Sequence, residues 1–217
     1  MSANKDSFAS MLKMGLILAV YSVIACVGLA YVYDGTAKII AQRQMEDLDH
    51  ALRELFPEAD SFEAITGIAS SYPLVSIEGD KGNPKNTGAF NVLKNGQTIG
   101  AALRTSRFSY SGPIKILVGV GTDGKIHGVK ILQNTDTPGL GSNAGSKQYY
   151  VDRANGVHFY DQFTGKDVGD AFVPKQDVAA ITASTITSRA VAESVKAAGE
   201  AASAWFAKGG IPNGGHK

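Results

Sequence analysis

Twenty consecutive residues without a charge, Met14 to Tyr33 (MGLILAVYSVIACVGLAYVY), lie between Lys13 and Asp34 near the start of this 217-residue chain. As a helix the run would be about 30 Å long, the hydrocarbon thickness of a bilayer. A cleaved signal peptide usually has a shorter apolar core, about 7–15 residues, and a small-residue cleavage site. Here the run is longer and ends in Tyr-Val-Tyr-Asp. A retained, single-pass transmembrane helix over 14–33 is therefore expected, after a short N-terminal segment, 1–13. Tyr31 and Tyr33 suit the headgroup interface, and Cys26 would be a membrane-buried thiol without chemistry. Orientation is not set by charge, because Lys5 and Lys13 before the span are matched by Lys38 and Arg43 after it.

The rest of the chain is electrically balanced. The whole sequence has a formal net charge of +1. With Lys5, Asp6 and Lys13 set aside, 19 of the 21 basic and 19 of the 20 acidic residues remain. Nothing in that balance favours nucleic acid or an anionic lipid surface, both of which call for surplus Lys and Arg. The single cysteine excludes a disulfide framework and any multi-cysteine metal or iron–sulfur site. An apolar content of 44% excludes a disordered chain.

Periodicity divides the remainder. Between Gly35 and Phe56, Ala41, Met45, Leu48, Leu52 and Leu55 recur at helical spacing until Pro57. This predicts a stalk helix over 34–57 with a solvated acidic face. Residues 90–106 read as two strands around Asn95-Gly96, and 114–134 as two more around Asp123-Gly124, with an irregularity near Gly128. Over 188–207, Val191, Val195, Ala198, Ala202 and Trp205 form one helical stripe. The expectation is an α+β fold: an antiparallel sheet with flanking helices in a domain over 58–208, preceded by one N-terminal transmembrane helix and followed by a flexible tail, 209–217.

Common catalytic patterns are missing. His50, His127, His158 and His216 are scattered without metal-ligand spacing, and there is no G-x-S-x-G elbow, P-loop or dinucleotide fingerprint. Neither a metal site nor a catalytic residue is expected. Two other segments point to binding. In Asn134–Gly145, Pro138 restricts the backbone while Gly139 and Gly141 permit close approach. A plain structural turn and a loop pressed against a flat ligand fit equally. In Ile181–Ser188 (ITASTITS), five hydroxyl residues fall within seven positions before the C-terminal helix. One or two would serve as caps; five suggest an anion, a phosphate above all, held by hydroxyls and backbone N–H groups.

With these motifs the sequence resembles the flavin-binding domains of the G subunit of the Rnf (Rsx) electron transport complex and of the related C subunit of the sodium-translocating NADH:quinone reductase. The family pattern S/T-G-A-T-x-T-S is matched by Thr182-Ala183-Ser184-Thr185-Ile186-Thr187-Ser188. The T-P-G-L-G loop stands intact as Thr137-Pro138-Gly139-Leu140-Gly141. Tyr110-Ser111-Gly112-Pro113-Ile114 and Thr164-Gly165-Lys166 match two further elements, in the same order. The shorter length is more similar to the Rnf protein.

The resemblance implies covalent FMN, its phosphate esterified by a separate flavin transferase to the threonine matched by Thr185. Thr182, Ala183, Ser184, Ile186 and Thr187 would shape the phosphate and ring site. Thr137, Gly139 and Leu140 would form a backbone loop against the flavin, and Lys166 would add a positive group. It also implies a redox subunit that turns over nothing alone, within a complex coupling ferredoxin and NAD chemistry to sodium or proton movement. Its partners would be the other membrane and peripheral subunits. It would sit in a bacterial or archaeal cell membrane with the large domain outside the cytoplasm. The chain departs from the pattern at Ala183-Ser184, where Gly-Ala is usual, and at Asp136, where Glu is frequent; Thr187 stands as an alternative acceptor. The competing readings are the reductase C subunit, a stand-alone extracytoplasmic flavoprotein, and a non-redox membrane-anchored binding domain.

Overall fold

The computed structural model describes residues 3–65, 68, 75–77 and 88–209. The expected tail therefore lies outside the described residues from 210 onward. The chain divides into two compact units between Glu46 and Asp47.

Helix α1 runs unbroken from Ala3 to Leu55 and contains an apolar window long enough to cross a membrane. Its large apolar side chains from Phe8 to Tyr33 are exposed, as a helix that is apolar all round requires when its solvent is lipid. The stripe predicted over 41–55 is buried only from Leu48 onward; Ala41 is exposed.

In the second unit, six strands among the described residues form an antiparallel sheet: β1 (Ser61–Ala64), β2 (Val75–Ile77), β3 (Ala89–Lys94), β4 (Gln97–Phe108), β5 (Pro113–Gly121) and β6 (Ile126–Gln133). The order is β1-β3-β4-β5-β6, with β3 and β2 pairing successive halves of the long β4. Both predicted hairpins are present. Asn95 and Gly96 take the positive φ values of 52° and 74° that a tight two-residue hairpin turn demands. The expected irregularity is a bulge at His127, between the Gly119–Gly128 and Val120–Ile126 pairs. Two short strands, β7 (Tyr150–Asp152) and β8 (Val157–His158), form a separate ribbon.

The sheet buries both faces. On one, Ile114, Ile116, Val118 and Val120 of β5 pack with Ala190, Val191, Val195, Ala198 and Ala202 of helix α2 (Thr185–Ala207). On the other, Leu117 joins Phe90, Val92 and Ala102 beneath Leu48, Leu52, Leu55 and Phe56. The alternation along β5 is the period of two that a strand imposes. The Phe56 ring occupies the space that side chains at Gly100 and Gly119 would need; a Cβ at either position would come within 2.9 Å of it. The ring also stacks on His127 at 4.7 Å. The end of α1 is thus one layer of the core, where periodicity alone suggested a stalk.

Candidate functional site

Helix α2 begins at Thr185, three residues earlier than the apolar stripe suggested, so half of the hydroxyl motif lies inside its first turn. Each hydroxyl has its own task. Ser188 accepts the Ile181 N–H (2.9 Å) and donates to the Ser184 carbonyl (2.9 Å), closing the turn that leads into the helix. Ser184 occupies the cap position but makes no side-chain hydrogen bond to the helix backbone; its hydroxyl meets that of Thr187 at 2.8 Å. Thr187 in turn donates to Asp136 Oδ2 at 2.6 Å. Thr182 and Thr185 are exposed. The capping explanation therefore fails at Ser184, and the first-turn amides are left for another acceptor.

Ala183 stands at φ +59°. The left-handed conformation that a glycine would take without strain is kept here by an alanine, at a cost of about 1 kcal/mol.

Asp136 joins three segments. It is 4% exposed. Its Oδ2 accepts the hydroxyls of Ser109 and Thr187, and its Oδ1 accepts the Ser111 N–H at 2.7 Å. Burial pushes the carboxyl up, but the hydrogen bonds from Ser109, Thr187 and the amides of Ser111 and Tyr110 outweigh it and hold the group below the usual carboxylate value. The loop after it is fixed locally. Asn134 accepts the Asp136 N–H and donates to the Gly141 carbonyl, both at 2.9 Å. The Gly139 N–H donates to Ser142 Oγ at 3.0 Å. Gly141 lies against the relay: a Cβ there would stand 2.5 Å from Thr187 Oγ1 and 2.6 Å from Asp136.

These contacts bring the two motifs, 45 positions apart in sequence between Leu140 and Thr185, to one cavity of about 500 Å³, within the range of small-ligand sites. Its lining is Tyr110, Asp136, Thr137, Leu140, Gly141 and Ala183 to Ile186. Tyr110, Leu140 and Ile186 expose apolar surface at it (72%, 41% and 56% exposed), while Thr185 presents a hydroxyl at the helix N-terminus. A flat aromatic ligand with a phosphate fits that donor set: apolar faces for the ring, free amides and a hydroxyl for the anion.

Six of the ten expected site residues line the cavity: Thr137, Leu140, Ala183, Ser184, Thr185 and Ile186. Thr182, Thr187, Gly139 and Lys166 do not. Thr182 contributes its N–H to the Tyr149 hydroxyl at 3.3 Å. Thr187 is fully buried, with its hydroxyl engaged on both sides, so it is unsuited as the alternative acceptor. Gly139 takes the positive φ of a turn. Lys166 extends the start of β6: the Ile126 N–H donates to its carbonyl at 2.8 Å, just after the Gly165 turn. Tyr110, Asp136 and Gly141 were absent from the expected set. Tyr110 and Asp136 had signals in the motif around Ser111 and in the Glu-to-Asp departure.

Comparison with known proteins agrees with this geometry. Residues 109–200 match the FMN-binding domain family and residues 1–55 match the RnfG N-terminal region. The G subunit of the Na(+)-translocating ferredoxin:NAD(+) oxidoreductase complex of Acetobacterium woodii is 33% identical over 193 residues, spanning 84% of this chain and 87% of that one. The chain belongs to the RnfG family, the G subunits of ion-translocating oxidoreductase complexes. Members from Methanosarcina acetivorans (28% identity, 86% of this chain, 91% of the relative) and Clostridium ljungdahlii (29%, 92% and 95%) match at similar length. Among solved structures, NqrC of Shewanella oneidensis is a distant likeness, with TM-score 0.40 and 19% identity over 59% of this chain and 64% of that one.

Proposed function

We propose that this RnfG family member carries FMN in the cavity between the 136–141 loop and the start of α2, linked through its phosphate to Thr185 Oγ1 by a flavin transferase. It relays electrons within a membrane-bound, ion-translocating ferredoxin:NAD oxidoreductase complex. The observation that carries this reading is the exposed Thr185 hydroxyl at the first position of α2, on the wall of a cavity that also holds Thr137 and Leu140. The phosphate would lie at the helix N-terminus, where amides and dipole favour negative charge. Tyr110, Leu140 and Ile186 would flank the ring. When bound, FMN supplies reversible electron transfer; the protein supplies position and electrostatics.

The match over residues 1–55 favours the Rnf protein over the reductase C subunit. Helix α1 would anchor the chain with the flavin domain outside the cytoplasm, beside the other subunits of the complex. The test is expression with and without a flavin transferase, followed by denaturing electrophoresis under ultraviolet light. A fluorescent band is expected only with the transferase, lost in Thr185→Ala and kept in Thr187→Val. A band that survives Thr185→Ala refutes the acceptor assignment; no band in the unaltered chain refutes covalent attachment.

A further inference from the structure

We propose that Ser184 contacts the cofactor as a hydrogen-bond acceptor, accepting a hydrogen bond from a hydroxyl of its sugar-alcohol chain, and that Asp136 is the positioning residue that fixes this polarity. The inference rests on the flavin reading of the cavity.

The argument is a count of protons. A hydroxyl has one proton to give and two lone pairs. Asp136 is buried, and its carboxylate is surrounded by donors alone: the Ser109 hydroxyl, the Thr187 hydroxyl and the Ser111 N–H. An ionised carboxylate can only accept. Thr187 is fully buried, and its Oγ1 has two partners, Asp136 at 2.6 Å and Ser184 at 2.8 Å. Its proton must lie toward Asp136, since the opposite choice would set two acceptor oxygens against each other without a proton between them.

Thr187 therefore accepts from Ser184, and Ser184 has no proton left. It is 8% exposed and is one of the residues that line the cavity. What it offers there is a lone pair.

This narrows the expectation that Ser184 and Thr187 hydrogen-bond or shape the phosphate and ring site. Phosphate oxygens are acceptors, so neither hydroxyl can donate to them. A lone pair beside Thr185 calls for a donor next to the phosphate, and in FMN the phosphate is followed by the ribityl chain with its free hydroxyls. Gly141 belongs to the same device, because any side chain there would occupy the place of the Thr187–Asp136 contact.

The experiment uses the full-length chain produced without transferase, titrated with riboflavin, FMN and lumiflavin (the ring without the ribityl chain) and followed by flavin fluorescence. Ser184→Ala is expected to weaken riboflavin and FMN alike, by about two- to tenfold, the net contribution of one neutral hydrogen bond, and to leave lumiflavin unchanged. Loss confined to FMN, equal loss for lumiflavin, or no change overturns the assignment of Ser184.

The relay itself is read by proton NMR of the same apo protein. Both the Ser184 and the Thr187 hydroxyl protons should exchange slowly. In Asp136→Asn, whose amide donates to Thr187, the order reverses and the Ser184 proton becomes fast-exchanging. A fast Ser184 proton in the unaltered chain refutes the relay. A correct proton pattern with no flavin bound refutes the cofactor reading instead, so the two failures are distinct.

Discussion

Replacing Gly141 with alanine should damage the protein far more than replacing Gly139, although Gly139 is the one with a left-handed backbone. Gly139 has φ +76° and nothing within 4 Å of an added methyl, so Gly139→Ala costs only its conformational strain, about 1 kcal/mol. At Gly141 the added carbon would stand 2.5 Å from Thr187 Oγ1 and 2.6 Å from both Cβ and Oδ2 of Asp136. Those atoms are buried in a hydrogen-bonded cluster and cannot swing into solvent. Overpacking costs about 1–3 kcal/mol. Displacing Thr187 deprives a buried carboxylate of one donor, about 1.5–3 kcal/mol more. The sum is about 2.5–6 kcal/mol, or about 5–24 °C in Tm for a domain of this size. Thermal unfolding of the two variants in detergent, followed by circular dichroism, measures the difference. Equal losses, or a Gly141→Ala loss below about 0.5 kcal/mol, would refute the account of the relay.

Three further outcomes are expected. Ala183→Gly relieves the φ +59° strain and should raise stability by up to about 1 kcal/mol; a lower Tm contradicts it. Because Asp136 is held below the usual carboxylate value, its stabilising contribution is complete above about pH 4 and is lost as pH falls through its lowered folded value. Denaturation of the unaltered chain and Asp136→Asn at several pH values should therefore show a gap that narrows on acidification, and a widening gap would reverse the sign. Phe56→Ala empties the space against Gly100, Gly119 and His127 and should cost about 3–5 kcal/mol, read from a chemical denaturation midpoint.

Much of the fold was legible because its signals are local. The uncharged run of Met14 to Tyr33, the Asn-Gly and Asp-Gly turns and the stripe from Val191 to Ala202 each report on neighbours a few residues away, where period and turn chemistry act. The motif residues Thr137 and Thr185 could likewise be picked out from composition and resemblance. Lys166 and Gly139 could not be judged the same way: a motif position says that a residue recurs, not which way its backbone pairs.

What the sequence determined by itself is therefore an apolar N-terminal helix, an antiparallel hairpin sheet, a closing helix and two candidate binding segments. Tertiary structure alone decided that the end of α1 forms a core layer, through Phe56 filling the space left by Gly100 and Gly119. It also decided that Asp136 ties the two segments into one cavity, and that Thr185 faces out while Thr187 is sealed in. Residues 185 and 187 differ by about 200° around a helix axis. Which of two identical side chains faces solvent is then decided by what packs on the other side, and that partner lies 51 residues away.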